Sequence, residues 1–176
     1  MPADVKAIAN YFISRANREG KDITHLKVQK LAYISHGWHL AIAGEPLMAN
    51  RIEAWPYGPV VPELYYDLRH YGAAPIKELL NYHAWGQPGG LQPYRLDRYI
   101  FANRTLTDGI LDQSWSFYGG LEPMQLSNMT HRPGSPWSIV RGENLSPHFR
   151  PEIPDDLIRK HYLALSQRSA TKVKNG

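Results

Sequence analysis

The chain has no cysteine among its 176 residues. That excludes disulfides, thiolate zinc sites and thiol nucleophiles. It has no run approaching the roughly 18 consecutive apolar residues of a membrane span, and Lys27 and Lys30 interrupt its longest apolar segment. No apolar stretch of signal-peptide type opens it, so the expectation is a soluble, cytoplasmic protein without a membrane partner. Charge is not strongly one-sided: 20 Lys and Arg stand against 16 Asp and Glu, a formal net charge of +4. The basic residues are scattered except near the end, at Arg159, Lys160, Arg168, Lys172 and Lys174. A nucleic-acid footprint is a clustered basic face, and a basic terminus more often marks a solvated tail.

Catalytic motifs are also missing. There is no HExxH, no GxSxG elbow and no phosphate loop, since Gly86-Gln87-Pro88-Gly89-Gly90 lacks the lysine and hydroxyl residue such a loop needs. Ser135, beside Pro136 and near His131, reads as a helix cap. Asp155 and Asp156 suit the positive end of a helix. His25, His36 and His39 project within about 60° of one another on a helix. No acidic residue accompanies them there, so they read as edge histidines making hydrogen bonds and not as a metal set. No catalytic, cofactor or metal residue is assigned.

What is present is helical periodicity. Val5, Ile8, Ala9, Phe12, Ile13 and Ala16 mark an amphipathic helix over Ala3 to Glu19 with Gly20 as its stop. Thr24 caps a second helix, His25 to Ala43, closed by Gly44 and Pro46. Its wide apolar stripe includes Trp38, expected in the core, and makes it the central, most buried element. Ile52 to Trp55 alternates as a short strand, and Pro62 opens a helix to Tyr71. Further helices are expected at Pro75 to Trp85, from a Thr107 cap to Tyr118, at Pro123 to Met129, from Ser135-Pro136-Trp137, and at Pro154 to Arg168. Tyr99-Ile100-Phe101 is strand-like. The fold class is predominantly α: a compact single domain of six or seven helices with at most a small β-hairpin, spanning 1–166 and followed by a flexible basic tail, 167–176.

The densest feature is Ile52 to Tyr65, IEAWPYGPVVPELY. Pro56, Pro59 and Pro62 fix φ and delete donors, and Gly58 tolerates positive φ in the Tyr57-Gly58-Pro59 turn. Residues preceding proline, Trp55 and Gly58, are expected to be extended. The result is a rigid shaped surface in which Trp55 and Tyr57 read equally well as exposed partner anchors or as core. Gly58 and Pro59 would scaffold that anchor, while His131 and Trp137 line the same region or close the core.

Lys27, Gln29, Lys30, Leu31, Tyr33, Gly37, Trp38, Gly44, Pro46, Leu47, Glu53, Ala54, Trp55, Tyr57, Gly58, Pro59, Val60, Pro62, Tyr65 and Gly72 together form a pattern. Weaker pieces follow in order: Leu126 to His131 with Ser135-Pro136-Trp137, then Ile153 to Tyr162. This pattern resembles the Panacea domain family, the SocA-like antitoxins also found as phage-associated proteins. The resemblance implies a helical protein that binds and neutralises a cognate toxin protein, with some relatives delivering the toxin to a cytosolic protease. Tyr82 to Arg104, long and loop-rich, departs from the family pattern. The residues alone leave two other readings: a metal-assisted hydrolase using His25, His36 and His39, and a small DNA-binding regulator. The regulator lacks an evident recognition helix.

Overall fold

A computed structural model describes residues 1–84, 89–144 and 146–174, with side chains up to Arg168. Among the described residues the architecture is predominantly α. Seven α-helices, two 3-10 turns and two two-stranded antiparallel hairpins follow one another along the chain.

Helix α1 runs Val5–Arg18, with the Asp4 carboxylate accepting from Lys6 N. Beyond its end Gly20 takes φ +64°, and Lys21 N donates back to Ala16 O at 2.9 Å. Helix α2, His25–Ile42, is capped by Thr24 and is buried along most of its length. Strands β1 (Glu53–Trp55) and β2 (Gly58–Val60) form the first hairpin. Helix α3 spans Pro62–Leu68 and tightens into a 3-10 turn at Arg69–Tyr71. Strands β3 (Asn81–His83) and β4 (Leu91–Pro93) form the second hairpin. Then come α4 (Arg104–Tyr118), α5 (Pro123–Thr130), α6 (Pro136–Arg141) and α7 (Asp155–Lys174).

The core packs α1, α4, α5 and α7 around α2. Phe12 stacks on Trp115 with ring centroids 6.3 Å apart, and Tyr162 of α7 lies edge-on to both Tyr33 and Trp38 of α2. Buried histidines tie neighbours to α2. His36 accepts at Nδ1 from Met48 N, so its Nε2–H donates to Asp155 Oδ1 at 2.8 Å, at the start of α7. His39 donates from Nδ1 to Glu45 O at 2.7 Å and accepts at Nε2 from the Thr107 hydroxyl of α4 at 2.9 Å.

Several expectations are corrected. No helix forms over 75–84, because α1 captures its backbone: Asn10 accepts from Leu80 N and donates to the Leu80 and Tyr94 carbonyls, while Asn17 donates to Lys77 O. Its last stretch is instead β3, so there are two hairpins where at most one was expected. The 86–88 part of the expected glycine-rich connector and Trp85 lie outside the described residues. Helix α4 starts earlier than expected, capped by Asn103 and not Thr107. Tyr99-Ile100-Phe101 is irregular backbone after a 3-10 turn, with Phe101 packed on His39. The backbone at 167–174, expected as a tail, continues α7.

Trp38 is half-buried and not core. Tyr118 of α4 accepts from the indole N–H and Tyr162 lies edge-on to the ring, but Gly109 of α4, beside which a Cβ would meet nothing within 4 Å, leaves the groove between them open.

Gly37 marks the tightest helix contact. A Cβ there would meet the buried Tyr162 ring at 2.2 Å. Gly37→Ala should therefore destabilise the protein by about 1–3 kcal/mol through overpacking. Gly109→Ala, facing open space inside a helix, should be neutral or stabilising by up to about 1 kcal/mol. Urea denaturation of both variants checks the pair, and equal effects would refute this packing.

Candidate functional site: a gripped aromatic hairpin

The Trp55–Gly58 hairpin turn is held by side chains reaching its carbonyls from three helices, α2, α5 with its end residue His131, and α6. Arg141 Nη1 donates to Ala54 O at 2.8 Å, Trp137 Nε1 to Trp55 O at 2.7 Å, and His131 Nε2 approaches Pro56 O at 3.2 Å. Tyr57 O accepts from both Lys30 Nζ at 2.8 Å and Ser127 Oγ at 2.9 Å. Lys30 Nζ donates also to Pro59 O at 2.9 Å, and the Gln29 amide bonds both N–H and C=O of Val61. Ribbon and helices are thereby fixed to one another.

Lys30 is 0% exposed. It lies four residues after Leu26 and four before Ile34, on the apolar stripe of α2, where a lysine is out of pattern. Burial without a carboxylate partner pushes its pKa from the ordinary 10.5 down to about 7. Its reach explains Gly58. The residue sits at φ +102° and not in the extended conformation expected before Pro59, and a Cβ there would lie 2.6 Å from Lys30 Nζ. Left-handed backbone and missing side chain are both required. Pro56 followed by a left-handed Gly58 is the residue chemistry of a tight turn with a glycine bulge.

His131 faces carbonyls with both ring nitrogens, Ser127 O at 2.6 Å and Pro56 O at 3.2 Å, and a neutral imidazole donates to only one. Its ring packs on Trp137 with centroids 4.1 Å apart. Arg141, 4% exposed, also donates to the Phe149 and Ser146 carbonyls. On the β1 side, Ile153 N donates to Ile52 O and Ala54 N to Pro151 O, so β1 has no free edge there.

Of the six residues singled out from sequence, five build this unit and one projects from it. Trp55 is 8% exposed, packed at a 60° tilt on Tyr65 with centroids 4.7 Å apart and covered by the Arg150 guanidinium at 3.9 Å. Gly58 and Pro59 are buried, and His131 and Trp137 half-buried. Tyr57 is 72% exposed. Beside Trp55, Tyr66 is 52% exposed under the Arg69 guanidinium. Sequence reading missed the grip of Gln29, Lys30, Ser127 and Arg141. A lysine on an apolar stripe was the available signal for the first pair.

The three histidines weighed as a metal set have separate surroundings: His36 and His39 are committed as above, and His25 packs edge-on to Tyr65. Among the described residues no group of three or more His, Cys, Asp or Glu side chains is placed to hold a metal ion. No helix among them is long and apolar enough to cross a membrane.

The class so defined is an all-α domain built around a side-chain-gripped aromatic hairpin. The chain belongs to the antitoxin SocA-like, Panacea domain family, whose model matches residues 28–138. That span contains every grip residue except Arg141. The chain is similar to Antitoxin SocA of Caulobacter vibrioides (strain NA1000 / CB15N), 28% identical over 162 residues covering 90% of this chain and 82% of that protein. No solved structure matches.

The depressed Lys30 pKa fixes a sign. Between about 7 and 10.5 the unfolded chain holds a proton at this position that the folded chain has released, so stability rises with pH across that window. Below it the folded state must bury an ammonium. Above pH 10 the buried Tyr33 and Tyr162, whose pKa values are raised, reverse the trend. Urea midpoints should climb over the window in the wild type and climb less in Lys30→Met, which should also lose about 1–3 kcal/mol by orphaning the Pro59 carbonyl and leaving Tyr57 O to Ser127 alone. A flat wild-type profile would overturn this assignment.

Proposed function

We propose that this chain is an antitoxin that acts in the cytoplasm by binding and neutralising a cognate toxin protein, without chemistry of its own. The observation that carries the reading is the projecting Tyr57 on a turn whose carbonyls are gripped by Lys30, Ser127, His131 and Trp137. Such an anchor loses little conformational freedom on binding, and exposed tyrosine is a preferred hot-spot residue. Family membership supplies the partner class. Trp55, Gly58, Pro59, His131 and Trp137 then serve the partner face by holding Tyr57 in place.

The test co-expresses the chain with the product of the adjacent reading frame, chosen because it is toxic alone. Tyr57→Ala should leave stability within about 0.5 kcal/mol of wild type yet weaken binding by about 2 kcal/mol or more. Trp55→Ala should do the reverse, losing about 3–5 kcal/mol of stability. Unchanged neutralisation by Tyr57→Ala would move the partner face elsewhere, with 82–104 the next candidate. Toxin levels separate two modes: occlusion leaves them unchanged, whereas delivery to a cytosolic protease lowers them.

A further inference from the structure

Behind the grip, on the other side of Thr130 and Ser135, lies a cavity of about 440 Å³ between α2, α5, the start of α6 and α7. Such a volume falls in the range of small-molecule sites. Its apolar wall is Ile34, Trp38 and Met129, continued by the rings of Tyr33, Tyr118 and Tyr162.

Two features of its polar lining point the same way. Tyr33 is 2% and Tyr162 5% exposed, and among the described residues neither hydroxyl has a hydrogen-bond partner. Neither oxygen is fully enclosed, so each is open to bond a ligand. Second, Arg132, Arg168 and His161 line the cavity, no Asp or Glu does, and neither arginine pairs with a carboxylate among the described residues. Burial and, to a lesser degree, the Arg168 charge depress the His161 pKa, so the two arginines carry the charge of the site and no carboxylate in its lining offsets it. By contrast, the larger groove on the far side of Trp38 and Tyr118 has no ionisable lining residue except Tyr118 itself.

From this lining we infer that the cavity binds a small organic anion: a flat apolar body against Trp38, Met129 and the tyrosine rings, and a carboxylate or phosphate held by Arg132, Arg168 and the tyrosine hydroxyls. Guanidinium groups match the planar, bidentate geometry of such anions. The site is independent of toxin binding, so its failure leaves the antitoxin reading untouched.

The test uses 2-naphthoate and 2-naphthyl phosphate as probes, with neutral 2-naphthamide as control, titrated into the full chain by amide chemical-shift mapping and thermal melting. The expected result is saturable shifts at Tyr33, Gly134, Tyr162 and Leu165 and a raised melting temperature with either anion, as for any ligand of the native state. The amide should bind at least about tenfold more weakly, for want of charge-assisted hydrogen bonds. Arg132→Gln and Arg168→Gln, both at exposed positions, should each weaken the anions severalfold while leaving the fold intact. Tyr33→Phe should weaken them without altering the wall. Equal binding of anion and amide, shifts confined to other regions, or no response at millimolar probe would overturn the proposal. So would binding of a peptide ending in a phenylalanine carboxylate when neither free anion binds, which would reassign the cavity to a partner's chain end.

Discussion

One buried amine organises this protein. Placing the Lys30 side chain among Val28, Leu31 and the other core residues of α2 is unfavourable unless its N–H groups meet acceptors, and the acceptors are the Tyr57 and Pro59 carbonyls. The N–H groups of the amine are received by these two carbonyls. Without Lys30 the Pro59 carbonyl would be stranded and Tyr57 O would keep only Ser127, and without the turn the amine would be stranded instead. Helix and hairpin are stable as a pair, which is why Gly58 admits no side chain where Lys30 Nζ passes.

The same logic extends along α2. A helix this apolar is expected to pack on all sides, but it also carries polar groups at intervals, each directed at a different neighbour. Gln29 and Lys30 take the hairpin, His36 the first residue of α7, and His39 the loop at Glu45 together with Thr107 of α4. Between them Gly37 lets the Tyr162 ring rest on the helix backbone. Apolar contacts supply the bulk of the stabilisation, while these directional bonds fix which helix sits where.

The local parts of this design were legible in the sequence. Thr24, Gly20, Pro62 and Pro123 mark helix ends through their own backbone chemistry, which needs no tertiary partner, and the helices they bound are found within a few residues of expectation. What was not legible depends on distant partners. The segment after Pro75 has helical composition, yet Asn10 and Asn17, more than 50 residues away, take its backbone groups. Trp38 lies in a helical apolar stripe, but whether an indole is covered depends on what α4 offers opposite, and beside Tyr118 it offers the bare Gly109. The site divides the same way. The Trp-Pro-Tyr-Gly-Pro block announced a rigid turn, whereas its grip joins residues up to 87 positions apart and no local pattern encodes that pairing.

That division bears on how Trp55 and Tyr57 share one motif yet have opposite fates. Trp55 ends β1, where its ring turns inward onto Tyr65 and its own carbonyl is taken by Trp137. Two residues on, Tyr57 gives its carbonyl to the interior, to Lys30 and Ser127, and in the tight corner between Pro56 and Gly58 its side chain is left to solvent. The backbone bonds that anchor the turn therefore dictate which aromatic is exposed. An aromatic side chain held out by six gripping residues is an expensive arrangement if its purpose were stability alone, since each gripping group could have been replaced by an apolar one packing against a plain loop. Under the proposed antitoxin function, rigidity delivered to a solvent-facing tyrosine gains its value in recognition, where the ordering has already been done before the partner arrives.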